Sequence, residues 1–210
     1  MTMRVVLLGA PGAGKGTQAS LICKTFDLAR FSTGDMLRAE VLAKSTIGQS
    51  VAEIMAGGQL VPDAIAIQLI QTRVQALAHA QGFLLDGFPR SLEQAQALEN
   101  AGIYMDQVIY LEVPDETIIQ RLSGRRIHPA SGRTYHLQTH PAQVDDLTGE
   151  PLVQREDDSE DVVTRRLAIY HQTTEPLIAW YAQKTLKFIR VSGIGTVQTV
   201  WSKIEQSMQA

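Results

Sequence analysis

The residues best suited to chemistry lie near the N-terminus, in the run Gly9-Ala10-Pro11-Gly12-Ala13-Gly14-Lys15-Gly16-Thr17. Glycines let the backbone form a concave nest of N–H groups that binds phosphate, and a following helix adds the positive end of its dipole. Lys15 can reach the outer phosphates, and the Thr17 hydroxyl can lie near Mg²⁺. The strict P-loop pattern has Ser or Thr directly after the lysine, whereas here Gly16 intervenes. The run predicts a variant P-loop; the simpler alternative is a glycine turn that only links a strand to a helix.

The segments around this loop have the periodicities needed to position it. Arg4 to Leu8 is a short apolar run typical of a strand, and Gln18 to Phe26 has apolar residues at helical spacing. Further strand-like runs at about 28–32, 82–86, 108–111 and 186–191 alternate with helical segments. This order predicts an α/β fold with a doubly wound, five-stranded parallel sheet.

Two stretches depart from this alternation. Several helical patterns between about 33 and 77 fall between the second and third strands and predict a helical insertion on the sheet. From about 125 to 158 the periodicity stops, and prolines and glycines occur at Pro129, Gly132, Pro141, Gly149 and Pro151. This stretch cannot form a long helix and predicts a small β-rich insertion. A helix then resumes at about 159 and continues toward 181.

A second group of residues could stabilise charge during phosphoryl transfer. Asp86 ends the predicted third strand, as a Walker-B-like aspartate does, and could help to hold Mg²⁺. Arginines follow it at Arg90, Arg121, Arg125, Arg126, Arg155, Arg165 and Arg166. Arg121 and Arg125 are four residues apart on the predicted helix and so share a face. Several guanidinium groups in one cleft suit a transition state that spreads charge over phosphate oxygens, although any single arginine is more simply a solvated surface residue.

The predicted β-rich insertion contains two short polar pairs. His128, Ser131, Asp145 and Thr148 have the spacing of a zinc ribbon without its cysteines. One histidine beside hydroxyl groups makes a poor tetrahedral zinc site. We therefore expect these side chains to form a hydrogen-bonded cluster that joins two β-turns, and a zinc site is the less favoured alternative.

Composition narrows the class of protein. The 210 residues include 44% apolar and 20% charged side chains, which is ordinary for a globular protein with a core. The net charge of −3 gives no general attraction to nucleic acid or to an anionic membrane. Cys23 is the only cysteine, which excludes an internal disulfide and a cysteine-rich metal site. No apolar segment suits a secretion signal or a membrane span, so we expect a soluble, cytoplasmic protein.

Five stretches together resemble the adenylate kinase family, in its long-lid bacterial form. They are the loop 9–17, Ser32 to Arg38, Gly82 to Arg90, Gly124 to Arg126 and Arg155 to Asp158, and the resemblance covers essentially the whole chain. It implies a monomer that uses Mg²⁺ to transfer a phosphoryl group reversibly from ATP to AMP, giving two ADP. It also implies a single domain, 1–210, with a core (1–31, 62–123 and 159–210), an AMP-binding insertion (32–61) and a lid (124–158).

The resemblance also implies roles for residues at matching positions. The implied catalytic residues are Lys15, Arg90, Arg121, Arg125, Arg155 and Arg166. For ATP it implies Gly12, Ala13, Gly14, Lys15, Gly16, Thr17, Arg121, Thr134, Tyr135 and Gly195. For AMP it implies Thr33, Arg38, Gln59, Leu60, Val61, Gly87, Phe88, Pro89, Arg90, Gln94, Arg155 and Arg166. Thr17 and Asp86 match positions near Mg²⁺, and the His128 quartet matches one that replaces zinc-binding cysteines, so no structural zinc is expected.

Two positions depart from the family pattern. Gln59 stands where a lysine is frequent, and Gly195 falls where related bacterial enzymes can carry a lysine near the adenine. Main-chain atoms can make both contacts, so the implied roles are kept.

Other P-loop proteins are the alternatives. A GTPase-like switch would need a guanine-reading Asn-Lys-x-Asp motif, and Asn100 is the only asparagine in the chain. A kinase for UMP, CMP or a small metabolite would differ in its acceptor, and Gln94, at a position suited to an adenine edge, favours AMP. A non-catalytic nucleotide-binding protein would not need the full set of arginines.

Overall fold

A central parallel sheet organises the computed structural model, which describes residues 3–77, 82–138, 140–141 and 143–210. The strands are β1 (Arg4–Gly9), β2 (Ala29–Ser32), β3 (Phe83–Asp86), β4 (Gln107–Glu112), β5 (Arg125–Ile127), β6 (Thr134–His136) and β7 (Lys187–Ser192). Five of them form one sheet in the order β2-β3-β1-β4-β7, with every neighbouring pair parallel. The predicted α/β fold with a five-stranded parallel sheet is confirmed.

Helices cover both faces of this sheet. They are α1 (Lys15–Phe26), α2 (Thr33–Leu42), α3 (Thr46–Ala56), α4 (Asp63–Gln75), α5 (Leu92–Asn100), α6 (Asp115–Ser123), α7 (Glu160–Ile169), α8 (Pro176–Ala182) and α9 (Val197–Gln209). Side chains of α1 and α9 pack on one face, and those of α4, α5 and α8 pack on the other. The sheet is therefore the middle layer of three, as the doubly wound arrangement requires.

The central strand β1 shows why its sequence is apolar throughout. Val5 and Leu7 belong to the core shared with α1 and α9, whereas Val6 and Leu8 belong to the core shared with α4, α5 and α8. Successive side chains of a strand point to opposite faces, so a strand covered on both faces buries all of them. This burial fixes the place where the glycine-rich loop leaves the sheet.

Three helices, α2, α3 and α4, lie between β2 and β3, where the sequence predicts a helical insertion. Ser32 caps α2 by accepting from the N–H of Asp35 at 3.2 Å, and Ser45 caps α3 by accepting from the N–H of Gly48 at 3.0 Å. The two helices approach so closely at Gly48 that a Cβ there would lie 2.0 Å from the Glu40 carbonyl oxygen. Only glycine fits this crossing.

The β-rich insertion contains the antiparallel pair β5 and β6. Isolated bridges between Ile127 and Val153 and between Val144 and Pro151 extend the pairing. A short 3₁₀ turn, Glu156–Asp158, leads from this insertion into α7.

One helix is shorter than the sequence predicts. We expected Arg121 and Arg125 to share a helical face, but α6 ends at Ser123 and Arg125 begins β5. Arg125 pairs with His136 across the β5–β6 ladder, and a Cβ at Gly124 would lie 2.4 Å from the His136 ring. The expectation was wrong because strand pairing, which is non-local, ends the helix.

The long helix expected from 159 toward 181 is interrupted by a π-helical turn, Tyr170–Thr174, between α7 and α8. The Glu175 N–H donates to the Tyr170 carbonyl at 2.9 Å, five residues back. Pro176 follows and has no N–H to continue the α-helical ladder. Within this wide turn, the Thr174 hydroxyl donates to the Arg90 carbonyl at 2.7 Å.

Within the described ranges, no helix combines the length and apolarity that crossing a bilayer requires.

Candidate active site

The glycine-rich loop connects the carboxyl end of β1 to α1. Gly14 precedes α1 with φ +95°, in the left-handed region that favours glycine. Among the residues that the structure describes, no side chain accepts a hydrogen bond at the start of α1. The first N–H groups of α1 thus lack a side-chain acceptor, and the helix dipole favours negative charge beside them. This geometry suits a phosphate group.

Lys15 is the first residue of α1, and its ammonium group lies over the loop. Nζ donates to the Gly9 carbonyl at 2.6 Å and to the Ala10 carbonyl at 2.9 Å. Burial is the main cause that lowers the pKa of Lys15 to about 8, and neighbouring arginines add to the effect. A polyphosphate beside the loop would supply the negative charge that favours the protonated amine.

Two clefts meet beside Lys15. The first, which we call the loop cleft, is lined by Gly9, Pro11, Lys15, Pro89, Ile169, Tyr170 and Thr174. The second, which we call the insertion cleft, is lined by Thr33, Arg38, Gln59, Val61, Phe88 and Gln94. Gly58, Leu60, Gly87, Arg90 and Arg166 line both clefts. Two ligands placed end to end would meet at these two arginines.

Positive charge dominates the place where the clefts meet. Burial, and then the charges of Arg166 and Arg38, lower the pKa of Arg90 to about 10. Burial, and then the charges of Arg38 and Arg125, lower the pKa of Arg155 to about 10. The Nε atom of Arg155 is buried with no hydrogen-bond partner among the described residues. These arginines stay charged at neutral pH, so the site favours a ligand with several negative charges.

Two consecutive aspartates hold two of the predicted catalytic arginines. The fully buried Asp158 accepts from Arg125, with an Nε–Oδ2 distance of 2.7 Å and a second contact through Nη2. Asp157 accepts from Nη1 of Arg166 at 2.8 Å through its carboxylate. The 3₁₀ turn that carries both acids therefore positions guanidinium groups from β5 and α7 on the same side of the cleft.

Arg121 lies on the other side of the glycine-rich loop. Its Nη2 donates to the Gly193 carbonyl at 2.9 Å, and its Nη1 contacts the Ala13 carbonyl at 3.4 Å. Gly195, which we expected near an adenine, is exposed in the same loop after β7 and has φ +121°. Arg121 thus links the glycine-rich loop to the segment that contains Gly195.

The walls of the insertion cleft are joined by hydrogen bonds. The buried Thr33 donates from its hydroxyl to the Gly87 carbonyl at 2.8 Å, and Nε of Arg90 donates to the same carbonyl at 2.7 Å. Gln94 is buried and accepts from the Arg90 N–H at 2.7 Å through Oε1. Arg38 pairs with Asp35, one helical turn away on α2. The polar groups of this cleft therefore have fixed orientations.

Asp86 and Thr17 were predicted to lie near Mg²⁺. Asp86 ends β3 beside β1, is buried, and accepts from Arg30 at 2.6 Å. Thr17 is exposed in the first turn of α1. In the part of the chain that the structure describes, no three His, Cys, Asp or Glu side chains form a metal-binding group. One carboxylate and one hydroxyl beside a phosphate-binding loop still suit Mg²⁺, which takes most of its ligands from phosphates and water.

Comparison with known proteins decides the family. The family model described as Adenylate kinase matches residues 7–186. The chain belongs to the adenylate kinase family. Proteins named Adenylate kinase from Coxiella burnetii strains Dugway 5J108-111 and RSA 493 / Nine Mile phase I are each 50% identical to it over 220 aligned positions. Each alignment covers 100% of this chain and 95% of the relative.

Adenylate kinases are phosphotransferases that convert ATP and AMP into two ADP. Family membership gives this activity to the chain, so the predicted family, enzyme class and reaction are confirmed. The roles of single residues remain predictions. The contacts and burial described above say only where these residues lie.

The polar quartet of this adenylate kinase forms the hydrogen bonds that we expected. Nδ1 of His128 and the Ser131 hydroxyl are 2.7 Å apart, and the Thr148 hydroxyl donates to Asp145 at 3.0 Å. The two pairs approach each other, with 3.4 Å between the Thr148 hydroxyl and Nε2 of His128. Glu150 also contacts His128. The absence of zinc stays a prediction.

Two further residues of the β-rich insertion extend this cluster. Arg133 donates from Nε to Asp145 at 2.7 Å, and the Tyr135 hydroxyl donates to the same carboxylate at 2.7 Å. Tyr135 and Thr134 were expected near the base and ribose of ATP. The Tyr135 hydroxyl lies within the cluster, and Thr134 is exposed on β6. Their place near ATP stays a prediction.

Sequence reasoning missed Arg30 as a partner of Asp86 in this adenylate kinase. Arg30 lies on β2 and Asp86 at the end of β3, and these strands are neighbours in the sheet. The available signal was a charged residue, Arg30, on a predicted strand that ends beside the predicted Mg²⁺ site.

Proposed function

We propose that ATP binds along the glycine-rich loop with its terminal phosphate at the loop cleft, and that AMP binds in the insertion cleft. The phosphoryl group would be transferred where the two clefts meet. The observation that carries this proposal is the shared lining: Arg90 and Arg166 belong to both clefts. Nucleotides bound with their bases pointing away from this boundary would direct their phosphates toward each other. Positioning two reactants in line is the main requirement of phosphoryl transfer.

The ATP side is built on the glycine-rich loop. The backbone of Gly12 to Thr17 would bind the β- and γ-phosphates at the start of α1, with Lys15 bridging toward the transferred group. Arg121 is close enough to the loop to contact the same phosphates, since it already bonds the Ala13 carbonyl. Thr134, Tyr135 and Gly195 would lie near the ATP base and ribose once the lid closes.

The AMP side is built on the insertion and the segment after β3. Arg38 and Arg90 would bind the AMP phosphate, and Thr33 and Gln94 would contact the nucleoside. Backbone and apolar contacts would come from Gln59, Leu60, Val61, Gly87, Phe88 and Pro89. Arg155 supports this assignment because its buried Nε has no hydrogen-bond partner among the described residues.

Transfer itself requires charge stabilisation more than proton transfer. The AMP phosphate is already an anionic nucleophile, so no general base is needed. Lys15, Arg90, Arg125, Arg155 and Arg166 would neutralise the charge that develops on the transferred group. Mg²⁺ bound to the nucleotide would screen the phosphate charges, with Thr17 and Asp86 holding the ion directly or through water.

The two insertions would act as flaps on a fixed core. We propose a core (1–31, 62–123 and 159–210), an AMP-binding insertion (32–61) and a lid (124–158) within one domain. Closure of both flaps would exclude water, so that the phosphoryl group is transferred and not hydrolysed. We also propose a monomeric, cytoplasmic enzyme, because one chain supplies every site residue and the free thiol of Cys23 suits a reducing compartment.

A complex with a bisubstrate dinucleotide, two adenosines joined by a polyphosphate, tests these assignments. We expect one adenosine in the insertion cleft, the other beyond the glycine-rich loop near Gly195, and the bridge in contact with Lys15, Arg90 and Arg166. An acceptor panel of AMP, UMP, CMP and GMP should show a preference for AMP. A bridge that made no contact with these three side chains would show that the clefts are wrongly assigned.

A further inference from the structure

The side-chain amide of Gln94 is held from both ends. Its Oε1 accepts from the Arg90 N–H at 2.7 Å, and its Nε2 donates to Oδ1 of Asp63 at 2.6 Å. Asp63 begins α4, just after the segment that lines the insertion cleft, whereas Gln94 lies in the first turn of α5. The contact therefore joins two helices that are separate in sequence.

These two partners allow only one orientation of the amide. A backbone N–H can only donate, and an ionised carboxylate can only accept. Rotating the Gln94 amide by half a turn would face Nε2 against the Arg90 N–H and Oε1 against the Asp63 carboxylate. Both hydrogen bonds would be replaced by repulsive contacts. Because Gln94 is buried, water cannot easily replace them.

Capping of α5 does not require Asp63. Ser91 caps α5 by accepting from the Gln94 N–H at 3.2 Å, and the Gln94 side chain reaches back to the Arg90 N–H, much as in a capping box. An amide fixed only by that one bond would have its Nε2 free to choose a partner. Asp63 removes that freedom, since it takes one Nε2 hydrogen and leaves the other.

We propose that Asp63 is a positioning residue that makes the insertion cleft select a 6-aminopurine over a 6-oxopurine. This inference rests on the proposed binding of AMP in that cleft. With its orientation fixed, the amide offers one remaining N–H and one remaining lone pair in a set order. Adenine presents the matching pair, an acceptor at N1 and a donor at its 6-amino group. Guanine and hypoxanthine present a donor at N1 and an acceptor at O6, which match only the rotated amide.

Three variants separate this role from a general effect of a negative charge at the start of α4. Asp63→Ala removes the carboxylate. Asp63→Asn keeps an oxygen that can accept from Nε2. Asp63→Ala combined with Ala64→Asp keeps a carboxylate in the first turn of α4, where Ala64 is exposed, but moves it away from Gln94. Each variant is first checked for an unchanged circular dichroism spectrum and unchanged ATP affinity.

The readouts are kcat/KM and calorimetric affinity for AMP and for inosine monophosphate, which has the 6-oxo edge without the 2-amino group of guanine. We expect the AMP preference to fall at least about tenfold in Asp63→Ala and in the double variant, because only the Arg90 N–H then opposes rotation of the amide. Asp63→Asn should retain more of the preference than either. The KM for ATP should stay the same in all three.

The possible failures are distinct. If the unmodified protein neither binds nor phosphorylates AMP, the proposed function is wrong. If it does both, and Asp63→Ala leaves the AMP preference unchanged, the positioning role is wrong while the function stands. A double variant that recovers the full preference would show that Asp63 acts only through its charge at the helix terminus, which also overturns the inference.

Discussion

The guanidinium group of Arg30 donates a 2.6 Å hydrogen bond to Oδ2 of Asp86, the carboxylate at the end of β3. The side chain of Asp86 is almost fully buried, whereas that of Arg30 is 30% exposed. The pair lies beside the glycine-rich loop, since a Cβ at Gly16 would be 3.1 Å from Arg30 and 3.8 Å from Asp86. The Asp86 carboxylate, which we propose as a Mg²⁺ ligand, is therefore already paired with the guanidinium group of Arg30 from the neighbouring strand.

Replacing Arg30 with glutamine should strengthen Mg²⁺ binding. Removing a positive charge next to Asp86 strengthens the attraction for a divalent cation, by about threefold to tenfold at the effective dielectric of a protein surface. The half-saturating Mg²⁺ concentration should fall by that factor, both in the rate assay and in calorimetry of ADP binding. Arg73→Gln, at an exposed position on α4, is the control for net charge. An unchanged or higher Mg²⁺ requirement in Arg30→Gln would contradict this account.

Lys15→Met should lower kcat by at least about a hundredfold while the fold survives, because a cation that contacts the transferred phosphate stabilises mainly the transition state. Lys24→Met is the matched control, since Lys24 is exposed in the last turn of the same helix. Arg90→Ala should have an effect similar to that of Lys15→Met. Near-normal turnover in Lys15→Met would show that the catalytic cleft has been misassigned.

Nucleotide binding should take up protons in mildly alkaline solution. The pKa of Lys15 is lowered to about 8, from 10.5, so the amine is partly neutral between these values. Phosphate groups are fully ionised there and should raise the pKa of Lys15, so binding draws in up to about one proton. Calorimetry of ADP binding at pH 8.5 in buffers of different ionisation enthalpy measures this number. Equal uptake in Lys15→Met would assign the protons to another group.

The lowered pKa of Lys15 also affects the stability of the nucleotide-free protein. Between pH 8 and 10.5 the unfolded chain binds more protons at Lys15 than the folded chain. The free energy of unfolding contributed by this group therefore rises with pH across that window. Urea denaturation at pH 8 and pH 10 measures this: the free energy of unfolding of the unmodified protein minus that of Lys15→Met should rise between the two pH values. A difference that stays the same would contradict the assignment.

Asp145→Asn should loosen the lid. The buried Asp145 carboxylate accepts hydrogen bonds from Arg133, Tyr135 and Thr148, and a neutral amide can satisfy only some of them. Amide hydrogen exchange over residues 143–153 should accelerate at least about tenfold, with little change in the core strands. Asp146→Asn is the control, because the neighbouring Asp146 side chain is 63% exposed. Equal exchange in the two variants would mean that the cluster does not hold the lid.

This cluster should also persist in acid. Hydrogen bonds from Arg133 lower the pKa of Asp145 well below its usual range, and those from Tyr135 and Thr148 contribute further. A carboxylate with a lowered pKa stabilises the folded state above its unfolded pKa and loses this effect only as the pH falls further. The factor by which Asp145→Asn accelerates exchange over residues 143–153 should therefore be the same at pH 5 and pH 7.

The sequence was sufficient to predict features with local causes. The glycine-rich loop, the alternation of strands and helices around it and the apolar β1 follow from residue type and period. The arginines at 90 and 166 could be named from resemblance. Their meeting at the boundary of two clefts, however, depends on how α7 packs against the segment after β3.

Contacts between distant segments could not be predicted. Asp63 and Gln94 are 31 residues apart, and each looks locally like an ordinary helix-terminus residue. Arg30 and Asp86 are 56 residues apart and meet only because β2 and β3 are neighbours. The early end of α6 was missed for the same reason, since the pairing of β5 with β6 is not visible in the periodicity of 115–125.

The π-helical turn at Tyr170–Thr174 makes the exact number of residues between α7 and α8 important. Each residue of an α-helix advances the direction of its side chains by about 100°. Arg166, before the turn, faces the clefts, whereas Leu177, after it, is buried against the sheet. Deleting one residue between Arg166 and Leu177 would rotate α7 by about 100° relative to α8. Either Arg166 would no longer face the clefts or Leu177 would no longer be buried, so catalysis and folding could not both survive the deletion.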